Sequence, residues 1–505
     1  MNEQIQKWQK SRNVSMRLFI TGILELDTPA HFGNGDADGL TDLQLLRDAL
    51  TERPLLPGAS IAGALRNDLL ERELGYGSRE NHKGTLHSET LFGYVSQGEE
   101  NDVTMESWLM VDDALGELPA KNPIEIRDGV QIRYDSRTAE DGNKYDIELL
   151  AAGTRFLLHF ELWLEDGSEE SQLQWLAAAL HNLETGEIRM GMRKRRGFGQ
   201  CHVTGWQIQP YDMFDPKQVM RWIAHQTPQD FPDIDEKVFE TDIVTGLQKV
   251  SLIKSGLPAK DGREQFTLSA TFSLKNSLLI RATVADANAP DVIHLENAQG
   301  QKILSGTSVT GAMRARASRI AHTILPESVA NELVNQMFGL RFDKKEGNGS
   351  INPKDRQPTG SRVIVDETVI DNPLSDWVQT RVKIDRFTGG AYPQALFSEQ
   401  PVFAGTENPT LIQINLAYQK VAGQPFTAGV GLLLLVLKDL WTEDLPLGGE
   451  SSVGRGRLQG QKATLTSGNN VWEFEEVNGS LTFTQGKPGD LEHYVVELCN
   501  LGGAS

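Results

Sequence analysis

The sequence predicts an α+β protein made of two tandem copies of one domain. Three observations carry that reading. The phrase LLPGASIAGALR, from Leu55, is nearly repeated as ILSGTSVTGAMR, from Ile303. Further matches follow in the same order after each phrase. Stretches that alternate apolar and polar residues interleave with stretches whose apolar residues recur every third or fourth position, the periods of strands and helices.

With Gly58 set against Gly306, four more matches line up. Leu91-Phe92-Gly93 answers Met337-Phe338-Gly339, and Val130-Gln131-Ile132 answers Val382-Lys383-Ile384. Ala152-Gly153-Thr154 answers Ala404-Gly405-Thr406, and Arg196-Gly197-Phe198-Gly199 answers Val453-Gly454-Arg455-Gly456. Collinear matches over so long a unit mean a tandem fusion and not a solenoid. The expected division is a polar tail (residues 1–14), a first domain (15–208), a connector (209–264), a second domain (265–465) and a C-terminal extension (466–505). The extension reads as extra strands, from VWEFEEV, SLTFT and HYVVEL.

Each copy opens on a strand, RLFITGILEL or TLSATFSL. A loop and a short strand follow (PLLPG; KILSG), then a helix (ASIAGALRNDLLERELG; TSVTGAMRARASRIAHTIL). A hairpin, a further strand (TRFLLHFELW; LIQINLAY), a second helix (SQLQWLAAALHNLE; TAGVGLLLLVLKDL) and a Gly-rich turn complete it. This β-α-β-β-α-β order fits a ferredoxin-like core. The apolar run GVGLLLLVL is too short to span a bilayer and belongs inside a core. The connector contains a short helix over 216–225 and an acidic stretch, DFPDIDEKVFETD.

A chain of 505 residues has room for several cores. Lys and Arg total 49 against 69 Asp and Glu, a net charge of −20. That argues against indiscriminate polyanion binding, but leaves room for a local basic groove. Only two cysteines, Cys201 and Cys499, exclude a disulfide framework, and a reducing, cytoplasmic setting is expected. The polar start MNEQIQKWQKSRNVS is no signal peptide, and no membrane partner is expected.

Chemistry concentrates in three places. At the first helix, Ser60 and Ser308 stand where an N-cap belongs, Gly63 and Gly311 lie in the first turns, and Arg66 and Arg314 follow. A helix N-terminus with accessible glycine can hold phosphate; the plain alternative is a packing turn. Next, Arg189, Arg193, Lys194, Arg195 and Arg196 crowd the turn that holds Gly191, Gly197 and Gly199. The second copy has Gly448, Gly449, Gly454, Arg455, Gly456 and Arg457. Such loops track a phosphodiester backbone without reading sequence; the alternative is a solvated basic turn. Last, the loop before the first anchor carries Asp36, Asp38, Asp42 and Asp48. Carboxylates beside RNA need a reason, such as Mg²⁺ recruitment or positioning of a 2′-OH; a solvated acidic loop is the alternative. His31 is the one histidine placed for acid–base work, although a structural histidine is the commoner outcome. No HExxH, zinc spacing, GxSxG or kinase motif is present.

These elements resemble the RAMP superfamily of CRISPR-associated proteins, in particular the backbone subunit of type III effector complexes. The signs are G-x-S-x-x-G opening the helix at Gly58 and Gly306, LFG at 91–93, VKIDRFTGGA at 382–391 before Ala404-Gly405-Thr406, and the closing Gly-rich loop. The first copy has VQIRYDSRTA at 130–139, with Arg133-Tyr134 where Asp385-Arg386 stand. Two fused backbone domains resemble the two-copy subunit of subtype III-D.

The resemblance implies a modified RNA-recognition-motif fold that stacks along a guide RNA beside other type III subunits. A β-hairpin thumb from each copy would push into the guide–target duplex: 128–150, with Val130, Ile132 and Arg133, and 380–402, with Val382, Ile384 and Arg386. It implies one Asp in the loop before the second strand, cutting target RNA at each kink with Mg²⁺ or another divalent cation. In the family pattern Asp42 and Asp48 take the two acidic places, and Asp291 and Asn297 the second-copy ones, with Asp286 the rival of Asp291. Asp42 would be the metal-holding carboxylate. Three other readings stand beside this one: a guide-binding scaffold that cuts nothing, a metal-independent guide-processing RAMP nuclease using His31, and an acidic metabolic enzyme.

Overall fold

The opening strand of the first copy, Val14–Leu26, buries Leu18, Ile20, Leu24 and Leu26. In the computed structural model, residues 14–35, 41–96, 103–133, 138–165, 170–225, 240–282, 289–340 and 360–503 are described. Asp36, Asp38, Tyr134 and Asp286 lie outside them. Val14–Leu26 pairs antiparallel with Cys201–Asp212 on one side and Arg155–Glu165 on the other. Its register shifts between Thr21 and Ile23 beside Gly22, where a Cβ would meet the Trp206 ring at 2.7 Å. Leu109–Val111 and Ala114–Glu117 pair with the far side of Arg155–Glu165, and Leu55–Leu56 pairs with Ala114–Glu117. The sheet therefore runs fourth, first, third, second strand, the order of a β-α-β-β-α-β path. The helices Gly58–Leu74 and Glu170–Glu184 contribute Ile61, Leu65, Leu69, Leu176, Leu180 and Leu183 to its core.

The second copy repeats this order. Gln265–Lys275 lies between Leu411–Gln419 and Arg457–Ser467, and Val363–Val365 pairs with Leu411–Gln419. The helices Gly306–Ile324, Glu327–Phe338 and Phe426–Trp441 pack on it. The run GVGLLLLVL falls inside Phe426–Trp441, whose Leu432, Leu433, Val436, Leu437 and Leu440 are buried. The C-terminal extension corrects one expectation. VWEFEEV and SLTFT are strands, Asn470–Val477 and Ser480–Gln485, which extend the sheet beyond Arg457–Ser467. HYVVEL instead lies in a helix, Pro488–Asn500. Pro488 starts it, and Leu491, Tyr494 and Leu498 share a helical stripe that joins the second core. The approach is close: a Cβ on Gly431 would lie 2.2 Å from the Tyr494 carbonyl oxygen.

Each copy sends out a two-stranded hairpin, Ile124–Ile132 with Ala139–Leu150, and Gln379–Ile384 with Ala391–Gln400. The chain packs as two compact units, residues 1–125, 148–192 and 199–263, and residues 126–147, 193–198 and 264–505. The first hairpin and the basic turn of the first copy thus belong to the second unit. There Arg127 forms a buried, two-pronged ion pair with Glu367, and a Cβ on Gly197 would strike the Glu367 backbone at 2.5 Å.

The connector holds the helix Pro216–Ile223 and a second one, Ile243–Lys249. The latter puts Ile243 and Leu247 into the first core. Arg263 then reaches the buried Asp68 at 2.9 Å. Burial pushes the Asp68 carboxyl up to about 6, against the pull of Arg263. Residues 240–263 are thus fastened to the first unit.

Candidate nucleic-acid interface

The anchor helices begin three residues earlier than the N-cap expectation required. Their caps are Pro57 and Ser305, so Ser60 and Ser308 sit in the first turn. The Ser305 hydroxyl receives the Ser308 N–H at 3.4 Å. At the first helix the Gly58 N–H donates to the Asp113 carboxylate at 2.7 Å, so a protein anion already occupies the place proposed for phosphate. Gly58 and Gly306 serve protein packing: a Cβ would lie 2.2 Å from the Val111 carbonyl oxygen in one copy and 2.6 Å from that of Val365 in the other.

Gly63 and Gly311 differ. Both are exposed in mid-helix, and nothing lies within 4 Å of where their Cβ would be. A helical glycine costs up to about 1 kcal/mol relative to alanine, and no internal contact here requires it. Arg66, by contrast, is held by Glu80 at 2.7 and 2.5 Å and donates to the Gly93 carbonyl at 2.9 Å. Arg314 donates to Asn335 at 3.1 Å.

The Gly-rich turns share one backbone. Arg193 and Glu450 are left-handed (φ 57° and 59°), each followed by a single 3₁₀ turn, Lys194–Arg196 and Ser451–Val453. Gly199 and Gly456 are buried, and a Cβ would lie 1.8 Å from the carbonyl oxygens of Met190 and Leu447. Those two glycines, like the buried Gly197, shape the protein and face no ligand. Gly454 has open space above it. Arg193 lies 4.7 Å over the Tyr145 ring, Arg195 donates to the Ser361 carbonyl, and Lys194 is exposed. Burial and Arg193 lower the pKa of the half-buried Arg196.

Arg455 is a correction to the RNA-contact expectation. It is 2% exposed and bonds Gln379 at 2.9 Å, Glu399 at 3.0 Å and Glu450 at 3.0 Å. Arg281 and Arg381 approach the same two carboxylates. This network welds the hairpin base to the Gly-rich turn. Arg457, two residues on, is exposed.

The acidic loops dock alike in the two copies. In the first, the Leu43 carbonyl receives the Glu148 N–H at 3.0 Å, while Thr41 and the Leu45 N–H donate to the Glu148 carboxylate. In the second, Val292 pairs with Glu399 on the same hairpin arm. Asp42 and Asp291 precede these docked segments, and both are exposed. Two bonds from Ser398 lower the pKa of Asp291. Asp48 serves a turn: it accepts from the Thr51 N–H and hydroxyl, both at 2.7 Å, which lowers its pKa. Asn297 closes the matching turn by accepting from Gln299 and Gln301. His31 is 1% exposed. Its Nδ1 meets the Glu148 carbonyl oxygen at 2.8 Å and must donate there, so it is a core histidine with no access to solvent.

Both hairpins expose large apolar side chains. The first exposes Ile126, Val130 and Ile132, with Arg133 beside them. The second exposes Val382, Ile384, Tyr392 and Leu396, and Phe387 at its tip is 100% exposed. Arg386 is exposed beside Phe387, and Lys383 lies 4.8 Å over the Tyr392 ring. Asp385 closes the tip, accepting from the Phe387 N–H at 2.8 Å, which lowers its pKa. The sequence reading missed Phe387 and Tyr392; their signal was an aromatic on either side of Thr388-Gly389-Gly390.

A CRISPR-system endoribonuclease Csm3 from Enterococcus italicus is 24% identical over 192 residues, covering 36% of this chain and 87% of that protein. The sequence profile of the RAMP superfamily matches residues 23–202 and again residues 241–459. Two matches over most of the chain, on two sheets of one strand order, make this protein a double-domain member of the RAMP superfamily.

Proposed function

We propose that the chain is a two-domain backbone subunit of a type III CRISPR ribonucleoprotein, fused as in subtype III-D. It binds guide RNA and cuts complementary target RNA at two fixed phosphates. The observation that carries this reading is the pair of uncovered hairpins. An apolar ribbon with basic neighbours is costly in water and suits insertion between stacked bases. The open helical glycines Gly63 and Gly311 and the exposed Lys194 and Arg457 suit a backbone that approaches without base reading, with sequence left to pairing.

Asp42 and Asp291 are the proposed catalytic carboxylates. Their equivalent places, each just before a segment docked on the outgoing hairpin arm, favour Asp291 over Asp286. An exposed carboxylate fits Mg²⁺, which is usually held by one or two carboxylates, substrate phosphate and water. When bound, the cation offsets charge building on the phosphate. The chain's own part is geometry: the hairpin unstacks a nucleotide, and the loop holds the Asp beside the 2′-OH, whose oxygen bonds to the neighbouring phosphorus as the bond to the next nucleotide's 5′-oxygen breaks, the 2′-OH proton being lost and the 5′-oxygen taking one up. The buried ring of His31 disfavours the histidine-based guide-processing reading.

The test is incubation of the assembled, guide-loaded protein with labelled complementary RNA. Products at two positions measured from one end of the guide support the proposal. Tight binding without products supports the scaffold reading.

A further inference from the structure

A second cluster lies in the first unit. The helix Glu170–Glu184 and the short helix Ile243–Lys249 bring His181, Glu184 and Asp242 together. Both acids are anchored through one oxygen. Glu184 Oε2 accepts from the Trp206 indole at 2.7 Å and the Ile243 N–H at 2.9 Å. Asp242 Oδ1 caps its helix, accepting from the Thr245 N–H at 2.6 Å. Their other oxygens, Glu184 Oε1 and Asp242 Oδ2, lie 3.4 and 3.8 Å from His181 Nδ1. That nitrogen is buried and makes no hydrogen bond among the described residues.

The separations fit a shared cation better than direct bonds. Charge-assisted hydrogen bonds run about 2.7–2.9 Å. A tetrahedral ion with ligands at about 2.0–2.1 Å spaces them about 3.4 Å apart. Two carboxylates and a neutral imidazole carry two negative charges, which a divalent ion cancels. One nitrogen among the ligands favours zinc-class ions over Mg²⁺ or Ca²⁺, which take oxygens. The imidazole is 30% exposed, which leaves room for water as fourth ligand. The one other such cluster among the described residues, Glu80, His82 and Glu89, has spent its oxygens: Arg66 holds Glu80, and the N–H groups of His82, Gly84 and Thr85 hold Glu89.

We propose that His181, Glu184 and Asp242 bind a zinc-class divalent cation that staples the connector helix Ile243–Lys249 to the first unit. The site is structural and independent of RNA cutting.

The test uses the full chain stripped with chelator. Zinc at a hundredfold excess over its Kd should raise Tm by roughly 5 °C, and Mg²⁺ should not. His181→Gln and Asp242→Asn should abolish the rise; the second keeps the capping oxygen, so its metal-free Tm should match wild type. An equal rise in both variants overturns the proposal. Cobalt bound to the wild-type chain should give the intense visible bands of a tetrahedral site, displaced by zinc. Weak octahedral bands, or none, overturn it even if a variant fails to fold.

Discussion

The Asp291 carboxylate accepts two bonds from Ser398 through one oxygen, from the backbone N–H at 2.7 Å and from the hydroxyl at 3.0 Å. Ser398 lies on the outgoing arm of the second hairpin, so the acidic loop and that hairpin are tied together. Asp291 itself is exposed.

Under the proposed function, Ser398 is a positioning residue. Ser398→Ala removes the hydroxyl bond and keeps the backbone one. Cleavage at the second site should slow by about tenfold, since one charge-assisted bond is worth about 1.5 kcal/mol or more. Target affinity and cleavage at the first site should not change. Single-turnover rates for the two products check this.

The hairpin apolar residues should act on base stacking. Phe387→Ala and Ile384→Ala should reduce the fluorescence of a 2-aminopurine placed at the second kink, while melting temperature stays within about 1 °C because neither side chain joins a core. A signal unchanged in both variants would remove the wedge role.

Arg455 and Arg457 should separate cleanly. Arg455→Met strips the buried Glu399 of its closest partner and should cost about 3 kcal/mol in urea unfolding. Arg457→Ala should leave stability unchanged and lower the salt slope of guide-RNA binding by about one.

His294 makes the second unit acid-sensitive. It is buried, and burial pushes its pKa down from 6.5 to about 4. The unfolded chain binds the proton from about pH 6.5 downward, while the folded one resists until about pH 4. Stability is therefore complete above pH 6.5 and falls as pH drops toward 4, by about 3 kcal/mol in all. His294→Leu, which removes the titrating ring, should flatten this decline in urea unfolding at pH 7.5, 6 and 4.5.

The repeat, the strand order and the hairpins were legible because they rest on period and collinearity, which survive in one chain. The roles of single glycines and arginines were not. Gly58 and Gly63 look alike in sequence, yet one meets a backbone oxygen and the other open space. Arg455 and Arg457 stand two apart in a turn, and only the fold buries the first under Glu399 and Glu450. The terminal helix was missed because HYVVEL is rich in β-formers, and its cover, the helix Phe426–Trp441, is far away in the chain.

The most direct measurement is cleavage of a labelled, guide-complementary RNA by the assembled complex, with Mg²⁺ and with EDTA, for wild type, Asp42→Ala and Asp291→Ala. The account predicts two metal-dependent products, one lost by more than about a hundredfold in each variant, with target binding intact. An unchanged product pattern in both variants would contradict it and leave the chain a scaffold for guide RNA.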